Sequence, residues 1–415
     1  MVIPNQKIKL NEIANFSSGK FLSKERVFES GSIPIWGSNG IIGYCSEPLY
    51  TKPVITIGRV GACGEVHKTN GPAWISDNAL VVEPKDNTDF RFLYYSLKTF
   101  DFSSLIGGTT QPLITQTAVK EQTILFPPIP EQRAIAHILG TLDDKIELNR
   151  RMNETLEAMA QALFKSWFVD FDPVRAKMEG RPTGLPKEIE DLFPDSFEDS
   201  ELGEIPRGWK FQALYDIADF INGAAFRDFN FTEESGGLPV VKIAEIKNGV
   251  SGQTKFTKTK LADKYRIKNG DILFSWSGNP DTSIDTFVWT EGEGWLNQHI
   301  FRVCLKSDED RYFVYYQLKM LRPFFAEIAR NKQTTGLGHI TVQDMKRLFV
   351  LKCPPKVGES FNNFVGPMFT HWYVNLLLIK DLEKLRDSLL PKLLSGEMGI
   401  QNPEIILESF TFNKI

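Results

Sequence analysis

The chain has 415 residues, of which 42% are hydrophobic and 24% are charged, and its formal net charge is −4. This composition is ordinary for a globular protein and allows about two to four structural units. The four cysteines form no CxxC pair and the five histidines lack metal-ligand spacing, so neither a disulfide framework nor a zinc site is predicted. The start MVIPNQKIKL lacks a signal-peptide pattern, and no apolar run approaches the roughly 18 residues of a membrane helix, so a cytoplasmic protein without a membrane span is expected.

The charge is unevenly distributed along the chain. The net charge is +1 over residues 1–126, −6 over 127–200, +2 over 201–352 and −1 over 353–415. The two large blocks are therefore near neutral, and composition alone does not demonstrate a basic face. If they bind nucleic acid, weak affinity is expected unless a more basic partner contributes.

Residues 1–126 have the pattern of a mixed α/β globular domain. Short β-rich runs such as VITIGRVGACGEV and ALVVEP alternate with glycine and proline, and DFRFLYYSLKTF has its aromatic residues at helical spacing. The Tyr-Tyr pair of that helix is predicted to face the core rather than to form a base-stacking platform.

A long helix is predicted within residues 127–171. Pro127, Pro128 and Pro130 exclude a helix before that point, and Pro130 is suited to open one. A helix from Glu131 to Trp167 would be about 55 Å long. Apolar residues recur at steps of three and four, which indicates a narrow seam that needs a partner helix. The first predicted row is Ile135, Leu142, Asn149, Leu156 and Leu163, and the second is Ile138, Lys145, Met152 and Met159.

Residues 353–399 supply that partner, because the same pattern recurs there at an offset of 226. Asn149 and Asn375 fall at equivalent seam positions, where a polar residue lowers stability but fixes register. The alternative is that one or both asparagines lie at a splayed, hydrated end of the pair. Gly396 is a plausible C-terminal cap for this helix. Its first row is Phe361, Met368, Asn375, Leu382 and Leu389, and its second is Phe364, Leu378 and Leu385.

Residues 207–352 repeat the first domain. Leu10-x-x-Ile13-Ala14-x-Phe16-x-x-Gly19 recurs from Leu214 to Gly223 at an offset of 204, Trp74 matches Trp295 at 221, and Ile114-Thr115 matches Ile340-Thr341 at 226. The growing offset means that the second copy has gained roughly twenty residues, and a period above about 200 is a domain duplication rather than a solenoid. Between the copies, the proline-rich and acidic residues 172–206 are predicted to be a non-helical linker. The tail 400–415 has no predicted structure.

No catalytic constellation is recognisable. There is no GxxxxGK[ST] phosphate loop and no glycine-rich methyl-donor fingerprint, and the CPPK sequence at 353–356 is explained as helix punctuation that repeats Pro127-Pro128. Two interpretations stay open at this point. One is a freestanding methyltransferase or nuclease with an unrecognised motif, and the other is a scaffold that does not bind DNA.

Three segments resemble one known family. PPIPEQRAIAHILGTLDDKIELNRRMNETLEAMAQALFKSWFVDFDPV is similar to the central region of type I restriction–modification specificity subunits. DSELGEIPRGW is similar to the lead into their second domain, and LLPKLLSGE is similar to their closing motif. Together with the duplication, the resemblance covers nearly the whole chain.

The resemblance implies an α+β fold of two duplicated target-recognition domains, 1–126 and 207–352, separated by two spacer helices that form an antiparallel coiled coil with pseudo-two-fold symmetry. Each domain would read one half of a bipartite, asymmetric sequence in double-stranded DNA. The spacer would set the gap and dock two modification (adenine methyltransferase) subunits and, through them, restriction subunits. The chain itself would be non-catalytic and hold no cofactor, because S-adenosylmethionine, ATP and Mg²⁺ would be bound by the partners.

Candidate base-contacting residues lie in loops that differ between the two copies. The loop 58–64 aligns with 275–280, and the loop 107–112 aligns with 333–339. Arginine has the hydrogen-bonding geometry to contact guanine, as asparagine and glutamine have for adenine. The alternative is that the loops are capped by their own Thr and Asn side chains, with Arg59 in a surface ion pair. The candidates are Asn39, Arg59, Asn78, Thr110, Gln111, Lys242, Trp276, Asn279, Gln298, Thr335 and His339.

Overall fold

A computed structural model describes residues 6–108, 112–226, 231–232, 236–307, 310–333 and 337–404. The chain divides into two compact units. Unit 1 comprises Met1–Leu148 and Ile379–Ile415, and unit 2 comprises Asn149–Leu378. Each of two long helices therefore contributes residues to both units.

Unit 1 contains a mixed α/β domain whose central sheet is antiparallel, while Ile33–Gly37 and Trp74–Ile75 of its second sheet pair in parallel. Its central sheet has the strand order Ala14–Ser18, Ala79–Pro84, Ile55–Gly58 and Val66–Lys68. A second sheet has the order Gly40–Cys45, Ile33–Gly37 and Trp74–Ile75, and Gln6–Lys9 pairs with Thr123–Phe126. The α-helices of this domain are Leu10–Ile13, Phe90–Lys98 and Gln116–Lys120.

Unit 2 repeats this topology. Its central sheet has the order Ala218–Asn222, Ile300–Leu305, Ile272–Ser275 and Asp285–Val288. The second sheet has the order Phe256–Thr257, Leu238–Val241, Gly294–Leu296 and Arg266–Ile267. Further strand pairs are Lys210–Ala213 with Phe349–Lys352, Ser277–Gly278 with Gly338–His339, and Phe197–Ser200 with Gly203–Pro206. The α-helices of the second domain are Ile243–Asn248, Arg311–Met320, Arg322–Asn331 and Val342–Arg347.

The residues that recur between the copies have structural roles. Leu10, Ile13 and Phe16 are buried in the core of unit 1. Thr115 accepts a hydrogen bond from the backbone of Ala118, and Thr341 does the same for Asp344, so the repeated Ile-Thr pair marks a helix N-cap in each copy. The Tyr-Tyr pairs at 94–95 and 315–316 are buried, which confirms that they belong to the core.

The two long helices span Ile129–Phe168 and Pro355–Leu394, and each has 40 residues. Proline lies in the first turn of both, where its missing N–H has no intrahelical acceptor to lose. Gly396 has φ +74°, the left-handed conformation expected just past a helix end. The sequence therefore correctly predicted both helices, the prolines near their starts and the glycine after the end of the second.

Within each unit the two helix segments run antiparallel. In unit 2, the rings of Phe164 and Phe361 lie 5.6 Å apart, and Asn375 Nδ2 donates to Asn153 Oδ1 over 3.0 Å. In unit 1, Arg386 Nη1 donates to Asp143 Oδ1 over 2.9 Å. Later residues of the first helix thus meet earlier residues of the second.

The helix seam differs from the predicted one in its second row. Asn149 and Asn375 of the first row are both buried, which contradicts a hydrated end for either residue. Lys145, Met159, Phe364 and Leu385 of the predicted second row are exposed, whereas Ile138, Met152 and Leu378 of that row are half-buried. The actual second row lies one residue later on both helices and consists of Leu139, Ile146, Asn153, Ala160 and Trp167 on the first and Val365, Trp372, Ile379, Arg386 and Leu393 on the second.

The physical reason for this error is that steps of three and four residues both keep a side chain on the helix face of the first row. Apolar residues occupy both alternatives, because Ile138 precedes Leu139 and Phe364 precedes Val365. The true row also contains Asn153 and Arg386, whose polar groups are satisfied by pairing and which a hydrophobicity pattern does not select.

The prediction of a non-helical linker over 172–206 is wrong. Asp172–Met178 and Lys187–Glu190 are helical, and Phe197–Ser200 forms a hairpin with Gly203–Pro206. Pro173 lies in the first turn of its helix, where proline is tolerated, so a high proline content did not exclude helix. Val174 and Phe193 are buried in the core of unit 2, which explains why this segment is ordered.

A glycine on each long helix allows a neighbouring domain helix to approach closely. A Cβ atom on Gly140 would lie 2.2 Å from Arg91 Nη1, and one on Gly366 would lie 3.0 Å from Tyr312 Cε2. The two glycines are 226 residues apart and are therefore equivalent in the repeat. Arg91 uses the space over Gly140 to make a two-pronged ion pair with Asp144.

The corrected seam can be tested with two adjacent substitutions on one helix. Ala160 is fully buried and Met159 is 50% exposed. We expect Ala160→Asp to cost about 3–5 kcal/mol, because it buries an unpaired carboxylate. Met159→Asp should cost less than about 1 kcal/mol, mostly through helix propensity. Thermal unfolding followed by circular dichroism measures both, and a larger loss for Met159→Asp would contradict the observed seam.

Candidate nucleic-acid interface

Three loops of unit 1 meet at the end of the central sheet. Arg59, which follows the strand Ile55–Gly58, donates its backbone N–H to the carbonyl of Asn78 over 3.0 Å. Its own carbonyl accepts from the N–H of Ile114 over 2.9 Å. We call this pair of backbone hydrogen bonds the bracket, because it holds one residue between two other loops. The bracket thus brings together loops that are far apart in sequence.

The side chains around the first bracket are polar and accessible. Arg59 Nη1 donates to Ser18 Oγ over 3.2 Å, while its Nε is buried without a hydrogen-bond partner. Ser38 Oγ donates to the Asn78 carbonyl over 2.6 Å and ties in the hairpin turn that carries Asn39. Both asparagine side chains are exposed. Asn39, Arg59 and Asn78 therefore belong to one surface cluster, as their candidate role requires.

Unit 2 has an equivalent bracket with different side chains. Trp276 donates its N–H to the carbonyl of His299 over 3.4 Å, and its carbonyl accepts from Ile340 over 2.8 Å. The indole Nε1 of Trp276 donates to Asn222 Oδ1 over 3.0 Å. The bracket is therefore present in both copies. Trp276 and His299 occupy the positions in unit 2 that Arg59 and Asn78 occupy in unit 1.

The imidazole ring of His299 lies beside Trp276, and the amide of Gln298 lies next to that imidazole. The ring of His299 lies 5.6 Å from that of Trp276, and Gln298 Nε2 lies 3.3 Å from His299 Nε2. His339 pairs with Ser277 in the short two-stranded sheet next to Trp276. Gln298, His299 and His339 are all exposed. This cluster offers ring faces and hydrogen-bonding groups to a ligand that approaches the surface.

Sequence reasoning missed Ser18, Asn222 and His299. The offset of 221 that pairs Trp74 with Trp295 also pairs Asn78 with His299, so the repeat itself pointed to His299. Ser18 and Asn222 end the first strand of each central sheet, and their contacts depend on strand pairing that no local pattern reveals.

The surroundings of the remaining candidates differ from one residue to the next. Asn279 Oδ1 accepts from the backbone of Asp281 and Thr282, so this asparagine caps its own turn, as the alternative interpretation expected. Lys242 is exposed, and its Nζ lies 5.6 Å from the ring centroid of Phe231. The candidates outside the described residues are Thr110, Gln111 and Thr335.

Close backbone packing supports both brackets. A Cβ atom on Gly19 would lie 2.1 Å from the carbonyl oxygen of Ser76, and one on Gly223 would lie 2.1 Å from that of Asn297. Only glycine allows the first strand to pass the loop that precedes residue 78 or 299 so closely. The repeated glycine of the sequence motif therefore helps to position the bracket.

The described part of the chain has neither of two alternative kinds of site. It contains no group of three or more His, Cys, Asp or Glu side chains arranged to hold a metal ion. Nor does it contain a helix long and apolar enough to cross a membrane. The two clusters instead present hydrogen-bond donors, acceptors and ring faces. Such groups contact base edges in DNA grooves.

Comparisons with known proteins define the class. The family described as type I restriction modification DNA specificity domain matches residues 3–158 and 206–358, once for each copy of the repeat. The chain therefore belongs to that family. It is a specificity subunit of a type I restriction–modification system, a non-catalytic chain that recognises DNA sequence.

Individual relatives cover most of the chain. The MjaIX specificity subunit of Methanocaldococcus jannaschii is 28% identical over 86% of this chain and 80% of its own length. The HindI specificity subunit of Haemophilus influenzae is 28% identical over 78% of this chain and 81% of its own. The crystal structure of the S subunit from M. genitalium has the same fold, with a TM-score of 0.63 at 18% identity over 94% of this chain and 96% of that one.

The close packing at Gly19 can be tested by adding a methyl group. We expect Gly19→Ala to destabilise unit 1 by about 1–3 kcal/mol, because the added Cβ would overlap a backbone carbonyl that cannot move freely. Gly71→Ala is the matched control, since nothing lies within 4 Å of a Cβ there. Thermal unfolding of both variants provides the comparison, and equal stability would show that the strand and loop are not rigidly packed.

Proposed function

We propose that unit 1 and unit 2 each recognise one half of a bipartite, asymmetric target in double-stranded DNA. The observation that supports this is the pair of equivalent brackets that hold different side chains. A common scaffold favours the same approach to DNA in both units. Different residues at its centre favour different base sequences, so the two halves of the target would not be identical.

The side chains indicate what each cluster could recognise. Arg59 has a guanidinium fork, which suits the O6 and N7 acceptors of guanine, and the amide of Asn78 suits adenine. In unit 2 the Nε1 donor of Trp276 is already engaged, so its ring offers apolar contact, for example with a thymine methyl group. His299 and Gln298 would supply the hydrogen bonds there. Asn39, Lys242 and His339 would add further contacts, and Thr110, Gln111 and Thr335 stay candidates on the sequence alone.

We infer that the two long helices set the distance between the half-sites. A helix of 40 residues is about 60 Å long, which corresponds to about 18 base pairs of B-DNA. Two half-sites and a gap that is not contacted fit within that length. The near-neutral charge of the two large blocks fits a chain that binds DNA tightly only as part of a larger complex.

We also infer that the helices dock two copies of one modification subunit. Leu148 and Met159 on the first helix are 59% and 50% exposed, and Val374 and Leu385 on the second are 51% and 46% exposed. Both pairs are related by the offset of 226, so each helix carries the same exposed apolar pattern. A pattern that repeats in this way suits two identical partners. Restriction subunits would join through the modification subunits.

Catalysis is assigned to the partners in this proposal. The modification subunits would methylate adenine with S-adenosylmethionine, and the restriction subunits would use ATP and Mg²⁺. The present chain would hold no cofactor of its own and would act in the cytoplasm together with its DNA and its partners.

The assignment of one half-site to each unit predicts separable changes in the methylated sequence. We expect Arg59→Ala to relax one half of the motif and Trp276→Ala to relax the other, with discrimination falling about tenfold or more at the affected base. Sequencing of N6-methyladenine in cells that express the partner subunits measures both halves at once. Arg207→Ala, at an exposed position away from the brackets, is the control. Changes confined to the same half for both variants would refute the assignment.

If Met159 and Leu385 contact the modification subunits, changing them should weaken assembly without impairing folding. We expect the double variant Met159→Asp with Leu385→Asp to keep its thermal stability and to bind the modification subunit at least tenfold more weakly, because charge is placed in an apolar contact. The matched control is Thr155→Asp with Ser388→Asp, at exposed polar positions on the same helices. Affinity measured by co-purification and calorimetry decides between them, and equal binding would exclude these residues from the interface.

A further inference from the structure

The residue held by each bracket also bonds to the end of the first strand of its central sheet. Arg59 Nη1 donates to Ser18 Oγ, and Trp276 Nε1 donates to Asn222 Oδ1. Ser18 is the last residue of Ala14–Ser18, and Asn222 is the last residue of Ala218–Asn222. These strand ends are equivalent at the repeat offset of 204. Both members of the pair have changed between the copies, yet the donor–acceptor contact is present in both.

We propose that Ser18 and Asn222 are positioning residues for base selection. Each would fix the orientation of the side chain that its bracket presents, and would thereby determine which base the cluster accepts. This inference rests on the proposed function, in which the two clusters contact DNA.

Side-chain entropy makes such positioning useful for arginine. A free arginine side chain has about 2 kcal/mol of rotamer entropy, part of which is lost when it binds a base. The contact with Ser18 ties Nη1 before DNA arrives, and the bracket holds the backbone of the same residue. The plane of the guanidinium is then set in advance. A base with two acceptors in that plane is favoured over one without them.

Asn222 has a different effect because tryptophan has a single donor. The indole N–H is the only hydrogen-bonding group of that side chain, and Asn222 Oδ1 engages it. Trp276 is also packed beside Phe301, with ring centroids 5.9 Å apart. The ring is therefore held as an apolar surface. Without Asn222, the free N–H would be available to bond a base acceptor, and the preference of unit 2 would change.

The test uses the chain assembled with its modification subunits. Methylation rates are measured on the cognate duplex and on duplexes with every single-base change in both half-sites. We expect Ser18→Ala to reduce discrimination roughly three- to tenfold at the base position that Arg59→Ala affects, with the other half-site unchanged. Asn222→Ala should act in the same way at the position that Trp276→Ala affects. Ser18→Thr keeps a hydroxyl and should restore discrimination.

Two controls separate positioning from a general structural effect. Ser30→Ala and Asn248→Ala change the same residue types at exposed positions outside the brackets and should leave discrimination unchanged. The double variant Ser18→Ala with Arg59→Ala should show no further loss beyond Arg59→Ala alone, because the serine acts through the arginine. Thermal unfolding of each variant confirms that the fold is intact.

The outcomes distinguish this inference from the proposed function. If Arg59→Ala and Trp276→Ala leave discrimination unchanged, the proposed function itself fails. If they alter discrimination but Ser18→Ala and Asn222→Ala do not, only the positioning inference is overturned. A uniform loss of rate on every duplex would also overturn it, because that is the effect of a structural residue.

Discussion

Polar contacts between the long helices, buried in unit 2 and half-buried in unit 1, are the constraint on which each unit depends. In unit 2, Asn375 bonds to Asn153, whose own amide donates to the carbonyl of Trp372 over 3.1 Å. A shift of the helices by one heptad would leave these buried amides opposite apolar side chains, and an unpaired buried polar group costs about 1–3 kcal/mol. Apolar packing alone tolerates several alignments. The amides select one of them.

In unit 1 an ion pair, rather than a pair of amides, selects the alignment of the two helices. Asp143 accepts from Arg386 of the second long helix and from the Tyr95 hydroxyl of the domain over 2.6 Å. Burial alone would raise the pKa of Asp143, but the hydrogen bonds from Tyr95 and Arg386 outweigh it and lower that pKa below its usual value. The carboxylate therefore stays charged at neutral pH and joins three elements, and its stabilising contribution is lost as the pH falls through the lowered pKa. In unit 1, the single side chain of Asp143 therefore helps to fix both the register of the two helices and the position of the domain against them.

The two copies share the residues that build the scaffold and differ in the residues at the centre of the brackets. The core positions, the helix caps and the closely packed glycines recur in both copies because they build the scaffold. The residues at the centre of the brackets, Arg59 and Trp276, do not recur. Under the proposed function, the scaffold would fix where a side chain meets DNA, and the side chain would determine which sequence is accepted.

The sequence by itself determined the duplication, both long helices, the equivalence of Asn149 with Asn375 and the family, because these depend on local punctuation and on spacing within one chain. Only the tertiary structure decided the second row of the seam, where residues 139 and 365 replace 138 and 364. Periodicity allows either choice, and the partner surface selects one. The same holds for Ser18 and Asn222: a hydrogen bond between strands that are distant in sequence leaves no local pattern, so their contacts emerge only when the chain folds.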